Sequence, residues 1–235
     1  MALFALGDLH LAFQRPEKSM DAMGPIWVRH EEKIWKNCQD LIKPEDTLVL
    51  VGDHSWGRKL FQCREDLAFI ARLPGRKILV RGNHDMFWEA QKTDVLNTEY
   101  AGKLFFLQNN FAIYGEYALV GTKGFTFEGP FLINRFTREV LSWDQDAEKH
   151  AQKLVRREAI RLEDSFRQAW EAGYRKFLVF LHYPPTNILE EDSVFTRMAE
   201  KYGAEQVIYA HCHGKNQFQD SILGFHNGIR YRLGS

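Results

Sequence analysis

The chain has 235 residues, of which 45% are hydrophobic and 26% charged, and 31 Lys and Arg face 31 Asp and Glu for a formal net charge of +0. This composition excludes a disordered, collagenous or coiled-coil protein, and the length suits one large domain with a full core, which we expect over residues 1–235. The even charge count supplies no long-range field to gather polyanions, so obligate nucleic-acid binding is not expected.

An apolar run at residues 3–6 opens the chain before Gly7-Asp8. It lacks a basic leader and meets Asp8 too early for a signal peptide, so it is expected to be a strand. Further apolar runs at 47–51 and 77–80 precede Gly52-Asp53 and Gly82-Asn83, and each has the form of a buried strand ending in a functional loop. Helical patterns lie between them, at 27–42 and at 60–73, the second ended by Pro74-Gly75. Strand, helix, strand, helix, strand implies a βαβ layout.

Short β-like runs at 104–107, 111–114 and 117–121 are expected to form a meander. Residues 144–172 are charge-rich with apolar positions at Leu154, Ile160, Leu162, Phe166 and Trp170, the pattern of a long amphipathic helix covering one sheet face and ended by Gly173. Buried strands follow at 176–181, leading into His182-Tyr183-Pro184-Pro185, and at 207–210, leading into His211-Cys212-His213-Gly214. The tail, 222–225 and 229–233 around Asn227-Gly228, reads as a hairpin whose turn needs positive φ. No segment approaches the roughly 20 apolar residues of a membrane helix. Three cysteines without a pairing pattern, Cys38, Cys63 and Cys212, suggest a reducing compartment, and a cytoplasmic location is expected.

Asp, Asn and His fall repeatedly just past the ends of these strands: Asp8-Leu9-His10, Gly52-Asp53, Gly82-Asn83-His84-Asp85, His182 and His211-Cys212-His213. That edge of an α/β sheet is where ligands bind. In extended backbone, D-x-H or H-x-H points both side chains the same way, so one ion can be gripped by two residues. Imidazole mixed with carboxylate suits Zn, Fe, Mn or Co, whereas structural zinc sites usually close four ligands locally.

The ordered set, D-x-H, G-D, G-N-H-D, a lone His, then H-x-H, resembles the calcineurin-like metallophosphoesterase superfamily over residues 5–214. Gly52-Asp53-His54-Ser55-Trp56, Arg81-Gly82-Asn83-His84-Asp85 and His182-Tyr183-Pro184-Pro185 are similar to a bacterial branch of predicted phosphohydrolases. The resemblance implies an α/β, four-layer αββα sandwich with two divalent or transition ions (Mn, Fe, Zn or Co). By that resemblance Asp8, His10 and His213 hold the first ion, Asn83, His182 and His211 hold the second, and Asp53 bridges both. His84 faces the substrate as general acid or phosphoryl stabiliser, with Asp85 orienting its ring. The implied reaction is attack of metal-activated water on a small or nucleotide-type phosphomonoester or phosphodiester. Two alternatives stand beside it: a nuclease, and a catalytically silent metal-binding interaction module.

Some positions depart from the pattern. Ala210 stands where the family usually has Gly, Cys212 is read as packing, and His54 as a hydrogen-bonded structural histidine. Gly52-Asp53-His54-Ser55-Trp56-Gly57-Arg58 lacks the G-D-x-x-D-R-G register of Ser/Thr protein phosphatases, and Arg58 is read as a surface residue. Specificity is assigned to loops at 11–26, 54–59, 86–93 and 122–143, which hold Phe13, Trp56, Phe87, Trp88, Phe125, Phe127 and Trp143. For these aromatics a core position is favoured over a substrate-stacking rim.

Overall fold

The computed structural model describes residues 1–88, 92–125, 131–133, 137, 139–143, 145–187, 189–213 and 222–235. The chain forms two compact units, residues 1–107 and 108–235, and both are α/β.

In the first unit β1 (Leu3–Leu6), β2 (Thr47–Val51), β3 (Arg76–Val80) and β4 (Leu104–Leu107) form a parallel sheet in the order β1-β2-β3-β4. The β2 sequence, TLVLV, is buried along its whole length, as expected of a parallel strand covered on both faces. The connections carry α1 (His30–Leu41), α2 (Arg64–Arg72) and α3 (Thr93–Glu99). Two of the expected helices are shorter than their apolar patterns. Arg29 adopts a left-handed φ of 51°, so α1 starts at His30 rather than at 27. Gln62 Oε1 accepts the N–H groups of Arg58 and Lys59, which closes a separate 3₁₀ turn, Leu60–Gln62, ahead of α2.

The expected meander is corrected by β4, which pairs in parallel with β3. Its Phe106 is tied by Asn97, whose Oδ1 accepts the Phe106 N–H and whose Nδ2 donates to the Phe106 carbonyl. The core of this unit gathers Leu48, Leu50, Leu67, Ile70, Leu79 and Phe106. Buried Cys38 and Cys63 pack in the same core, and burial pushes the Cys63 thiol up to about 12, so it stays protonated.

Asp46 fastens the start of β2. Its carboxylate accepts the Ala2 N–H at 2.6 Å and the Lys43 N–H at 2.9 Å, and its carbonyl accepts the Arg76 N–H at 2.9 Å. The Ala2 N–H, then that of Lys43, hold its carboxyl below the usual range. A depressed carboxyl stabilises the fold above its unfolded pKa, near 3.9, and that stability is lost as pH falls through the folded value. Asp46→Asn is therefore expected to flatten the acid limb of a stability–pH curve below about pH 4. An acid limb as steep as that of wild type would count against it.

In the second unit β5 (Ala112–Tyr114), β6 (Tyr117–Thr122), β9 (Lys176–Leu181), β10 (Gln206–Tyr209), β11 (Gly224–His226) and β12 (Ile229–Leu233) make a sheet in the order β11-β12-β10-β9-β6-β5. The pairs β6–β9, β9–β10 and β10–β12 are parallel, and the two edge pairs are antiparallel. A separate ribbon joins β7 (Phe131–Ile133) to β8 (Val140–Trp143). Asn227 and Gly228, at φ 48° and 82°, form the expected positive-φ turn between β11 and β12.

The long helix α4 (Gln145–Glu171) packs Ala159, Leu162, Phe166 and Ala169 against Phe177 and Val179 of β9. Two positions expected on its apolar face are exposed. Ile160 is 56% and Trp170 44% exposed, and the Arg175 guanidinium covers the Trp170 ring at 3.8 Å. Phe166 sits at the centre of the buried stripe, stacked on Tyr202 at 4.3 Å and edge-on to Phe177 at 5.2 Å. Phe166→Ala is expected to destabilise the protein by about 3–5 kcal/mol, read as a lower urea midpoint. An unchanged midpoint would place the side chain outside the core. The helix α5 (Val194–Lys201) starts at Ser193, whose Oγ accepts the N–H groups of Phe195 and Thr196. Among the described residues no helix is long and apolar enough to cross a membrane.

Candidate active site

Three loops that follow β1, β2 and β3 build the site in the first unit. Past the last paired residues of β1 and β2 the two chains keep running together. Asp8 N–H donates to the Gly52 carbonyl, His10 N–H to Asp53 and Leu11 N–H to His54, at 2.8–3.1 Å. This continuation brings Asp8 and His10 alongside Asp53. The backbone there is not extended: Asp8, His10 and Asp53 all have left-handed φ, at 56°, 45° and 55°. The extended-strand rationale for D-x-H is thus corrected, since both side chains are aimed by tight left-handed turns. Such conformations cost of order 1–3 kcal/mol each and concentrate at functional sites.

All three side chains are buried, at 5% exposure for Asp8 and 1% for His10 and Asp53. His10 Nε2 lies 3.9 Å from Asp8 Oδ1 and 3.8 Å from Asp53 Oδ2, and His84 Nε2 lies 3.9 Å from the same Asp53 oxygen. These separations exceed a hydrogen bond. The separations from His10 stay within the roughly 4.2 Å that two ligands can span when each is about 2.1 Å from one ion. Two buried carboxylates in one space are costly without a cation, and oxygen with imidazole nitrogen is a donor set for transition ions. The residues present therefore fit a metal.

The β3 loop is clamped to Asp53. Asp53 Oδ1 accepts the His84 N–H at 2.8 Å, and a Cβ on Gly82 would collide with the Asp53 amide nitrogen and Oδ1. Asn83 lies half-buried on the same loop, and the His84 side chain is 35% exposed.

Asp85 does not orient the His84 ring as expected; its ring partner is His54. Both residues are fully buried, and His54 Nδ1 lies 2.8 Å from Asp85 Oδ2. Burial alone would raise the Asp85 carboxyl, but the His54 ring and then the Gly82 N–H hold it below the usual carboxylate range. His54 is thus hydrogen-bonded, in line with the structural reading.

Sequence reading missed two contributors. Trp27 lies edge-on to His10 at 5.9 Å, and His30 places Nε2 at 2.7 Å from the Leu9 carbonyl, between the two site residues Asp8 and His10. Their signal, an aromatic and a histidine opening a helix, is too common to single out. Of the loop aromatics, for which a core position is expected, half-buried Trp56 stacks instead on His10 at 5.0 Å and leans on His84 at 4.2 Å. Phe87 and Trp88 are core, Phe13 is 41% exposed, and Arg58 is an exposed surface residue. Phe127 and the side chain of Trp143 lie outside the described residues.

The second unit has its own donor cluster. His182 directly follows β9 and is fully buried, and its carbonyl accepts the Ala210 N–H at 3.1 Å. His211 takes a left-handed φ of 72°, and its ring centroid is 5.1 Å from that of His182, with Tyr183 packed against both. The His213 N–H donates to the His211 carbonyl, so this H-x-H too is a turn rather than an extended segment. Cys212 between them is a buried thiol, as packing requires.

Comparison with solved structures finds the same fold in a phosphopantetheinyl hydrolase of Mycobacterium tuberculosis, with 16% identity, a TM-score of 0.53 and coverage of 99% of this chain and 89% of that one. A Thermus thermophilus protein, TT1561, is similar at 14% identity and a TM-score of 0.53, over 88% of this chain and 80% of that one. Among curated proteins, the gene 66 protein of Mycobacterium phage D29 is 32% identical over 78 residues, 33% of this chain, and the chain spans only 37% of that relative's length. Residues 1–215, carrying every site residue described above, match the family described as calcineurin-like phosphoesterase. The chain belongs to the calcineurin-like phosphoesterase family.

Proposed function

We propose that the protein is a dimetal phosphoester hydrolase acting on a small or nucleotide-type phosphomonoester or phosphodiester, and that residues 1–235 work as one catalytic domain. The observation that carries this reading is the convergence of His10 and His84 on one oxygen of buried Asp53, beside Asp8, in a chain of this family. Asp8, His10 and His213 would hold one ion, Asn83, His182 and His211 the other, and Asp53 both. Mn, Fe, Zn and Co all suit this mixed nitrogen and oxygen set. When bound, two such ions lower the pKa of a water and offset charge on the phosphoryl oxygens.

The chain's own residues do the rest. Asp53 Oδ1 holds the His84 backbone, so the imidazole is presented from a fixed loop. Its side chain is partly exposed, so the imidazole can reach a substrate and protonate the leaving alkoxide. Trp56, against both His10 and His84, limits where either ring can turn. His84→Ala is accordingly expected to lower kcat by about 10²–10⁴-fold while ion content per chain stays at the wild-type level.

The test is hydrolysis of an aryl phosphomonoester and a bis-aryl phosphodiester after chelation and ion re-addition, with ion content measured alongside. A phosphopantetheinyl ester belongs on the same panel, given the name of the Mycobacterium tuberculosis neighbour. Turnover restored by ions supports the reading, and the preferred probe selects monoester or diester. A protein that binds no ions and hydrolyses nothing overturns it. The nuclease reading is less favoured by the net charge of +0. The silent-module reading is less favoured because every position assigned to a ligand or acid is filled by a competent residue type. Three buried cysteines outside any disulfide support a reducing compartment such as the cytoplasm.

A further inference from the structure

The Asp85 carboxylate gathers four donors from two loops. Its Oδ1 accepts the His54 N–H at 2.8 Å, and its Oδ2 accepts the Asp53 N–H at 3.0 Å, the Gly82 N–H at 2.7 Å and the His54 ring at 2.8 Å. A carboxylate only accepts, so the His54 nitrogen facing it, Nδ1, carries the proton. Three of the four donors are backbone amides next to or at the assigned site: Asp53 itself, the residue after it, and the glycine that opens Gly82-Asn83-His84. The fourth is a side chain with no room to be solvated, since His54 is fully buried.

We infer that His54 and Asp85 form a buried positioning pair that holds the β2 and β3 loops together and thereby sets the geometry of Asp53, Asn83 and His84. This rests on the proposed dimetal hydrolase and adds to it a role for two residues that touch neither ion nor substrate. Without the Nδ1–H of His54, the carboxylate can turn within the pocket. The Asp53 amide, already in a left-handed conformation, then loses the acceptor that fixes it. Partners that orient metal ligands in this way are typically worth about 10–100-fold in affinity or activity.

Three variants separate hydrogen bonding from space-filling. His54→Phe keeps the ring and removes the donor; His54→Asn places an amide N–H near the Nδ1 position; His54→Gln places one near Nε2. The expected result is a loss of about 10–100-fold in ion affinity and kcat for the Phe and Gln variants, with the Asn variant recovering most of both. Ion affinity is read by calorimetric titration of Mn²⁺ into the chelated protein. In that chelated protein, a downfield ¹H resonance of the His54 Nδ1–H is expected in wild type and lost in Asp85→Asn. If the Phe variant does not fold, the Asn-against-Gln comparison and the resonance decide. Phe equal to wild type, Gln equal to or better than Asn, or no such resonance would each overturn the pair. None of these outcomes removes wild-type hydrolysis, so failure of the pair and failure of the dimetal reading are distinguishable.

Discussion

Asp53→Asn is expected to lower ion-restored turnover by about a thousandfold or more and to reduce the ions retained per chain. Asp53 is the residue on which the first unit's site converges, with one oxygen 3.8 Å from His10 Nε2 and 3.9 Å from His84 Nε2. The substitution keeps shape and can still offer an oxygen to the His84 N–H, which the native Oδ1 accepts at 2.8 Å. What it removes is the negative charge, buried at 1% exposure, that a shared pair of cations would neutralise. Charge stabilisation by bound ions supplies several kcal/mol, and about 4 kcal/mol corresponds to roughly a thousandfold in rate. Mass-spectrometric ion counting beside turnover checks both halves, and a urea midpoint close to wild type would show that the fold is retained. Wild-type turnover with both ions in place would remove Asp53 from the centre of the site.

The second large effect is expected from a residue without a side chain. Gly82→Ala adds one methyl group that lands on the Asp53 amide nitrogen and Oδ1. Neither atom is the loose end of a flexible chain: the amide is bound to Asp85 at 3.0 Å and the oxygen to the His84 N–H at 2.8 Å. The β2 and β3 loops must therefore separate. Overpacking of this kind costs about 1–3 kcal/mol of stability, and a shift near 1 Å in a reacting group costs on the order of 10²-fold in rate. Gly102→Ala is the matched control, because a Cβ there meets nothing within 4 Å although φ is +75°. It is expected to cost some stability through backbone strain and no activity. A Gly82→Ala protein with wild-type kcat would show that the loops tolerate separation.

Much of the fold was legible because strong local signals coincide with it. Gly-Asp after β2 and Gly-Asn after β3 each place a residue suited to a sharp turn behind a buried strand end, and Asn227-Gly228 carries the residue types of a positive-φ turn. What stayed hidden is non-local or depends on the backbone. Nothing in the run at 104–107 says that it pairs with β3 rather than with β5. Ile160 and Trp170 match an apolar pattern, yet the buried stripe of α4 runs through Ala159, Leu162, Phe166 and Ala169. At the site, the residue types at Asp8, His10, Asp53, His182, His211 and His213 pointed to metal chemistry. The left-handed turns that aim Asp8, His10, Asp53 and His211 were not visible in the letters. Nor was the partner of Asp85, because adjacency in sequence suggested His84 and the pairing is made across 31 residues to His54.

The order of strands within each sheet also orders events during synthesis. Among the described residues the first unit's sheet contains only strands made by Leu107, whereas in the second the strand made last of these, β12, lies between β11 and β10. At about 5–20 residues per second, a ribosome needs roughly 6–25 s to extend the chain from the last strand of one sheet to the last strand of the other. During that interval the first sheet can close while the second still lacks an interior member. Asp8, His10 and Asp53 would therefore be held in place on the nascent chain before His182 and His211 have been translated.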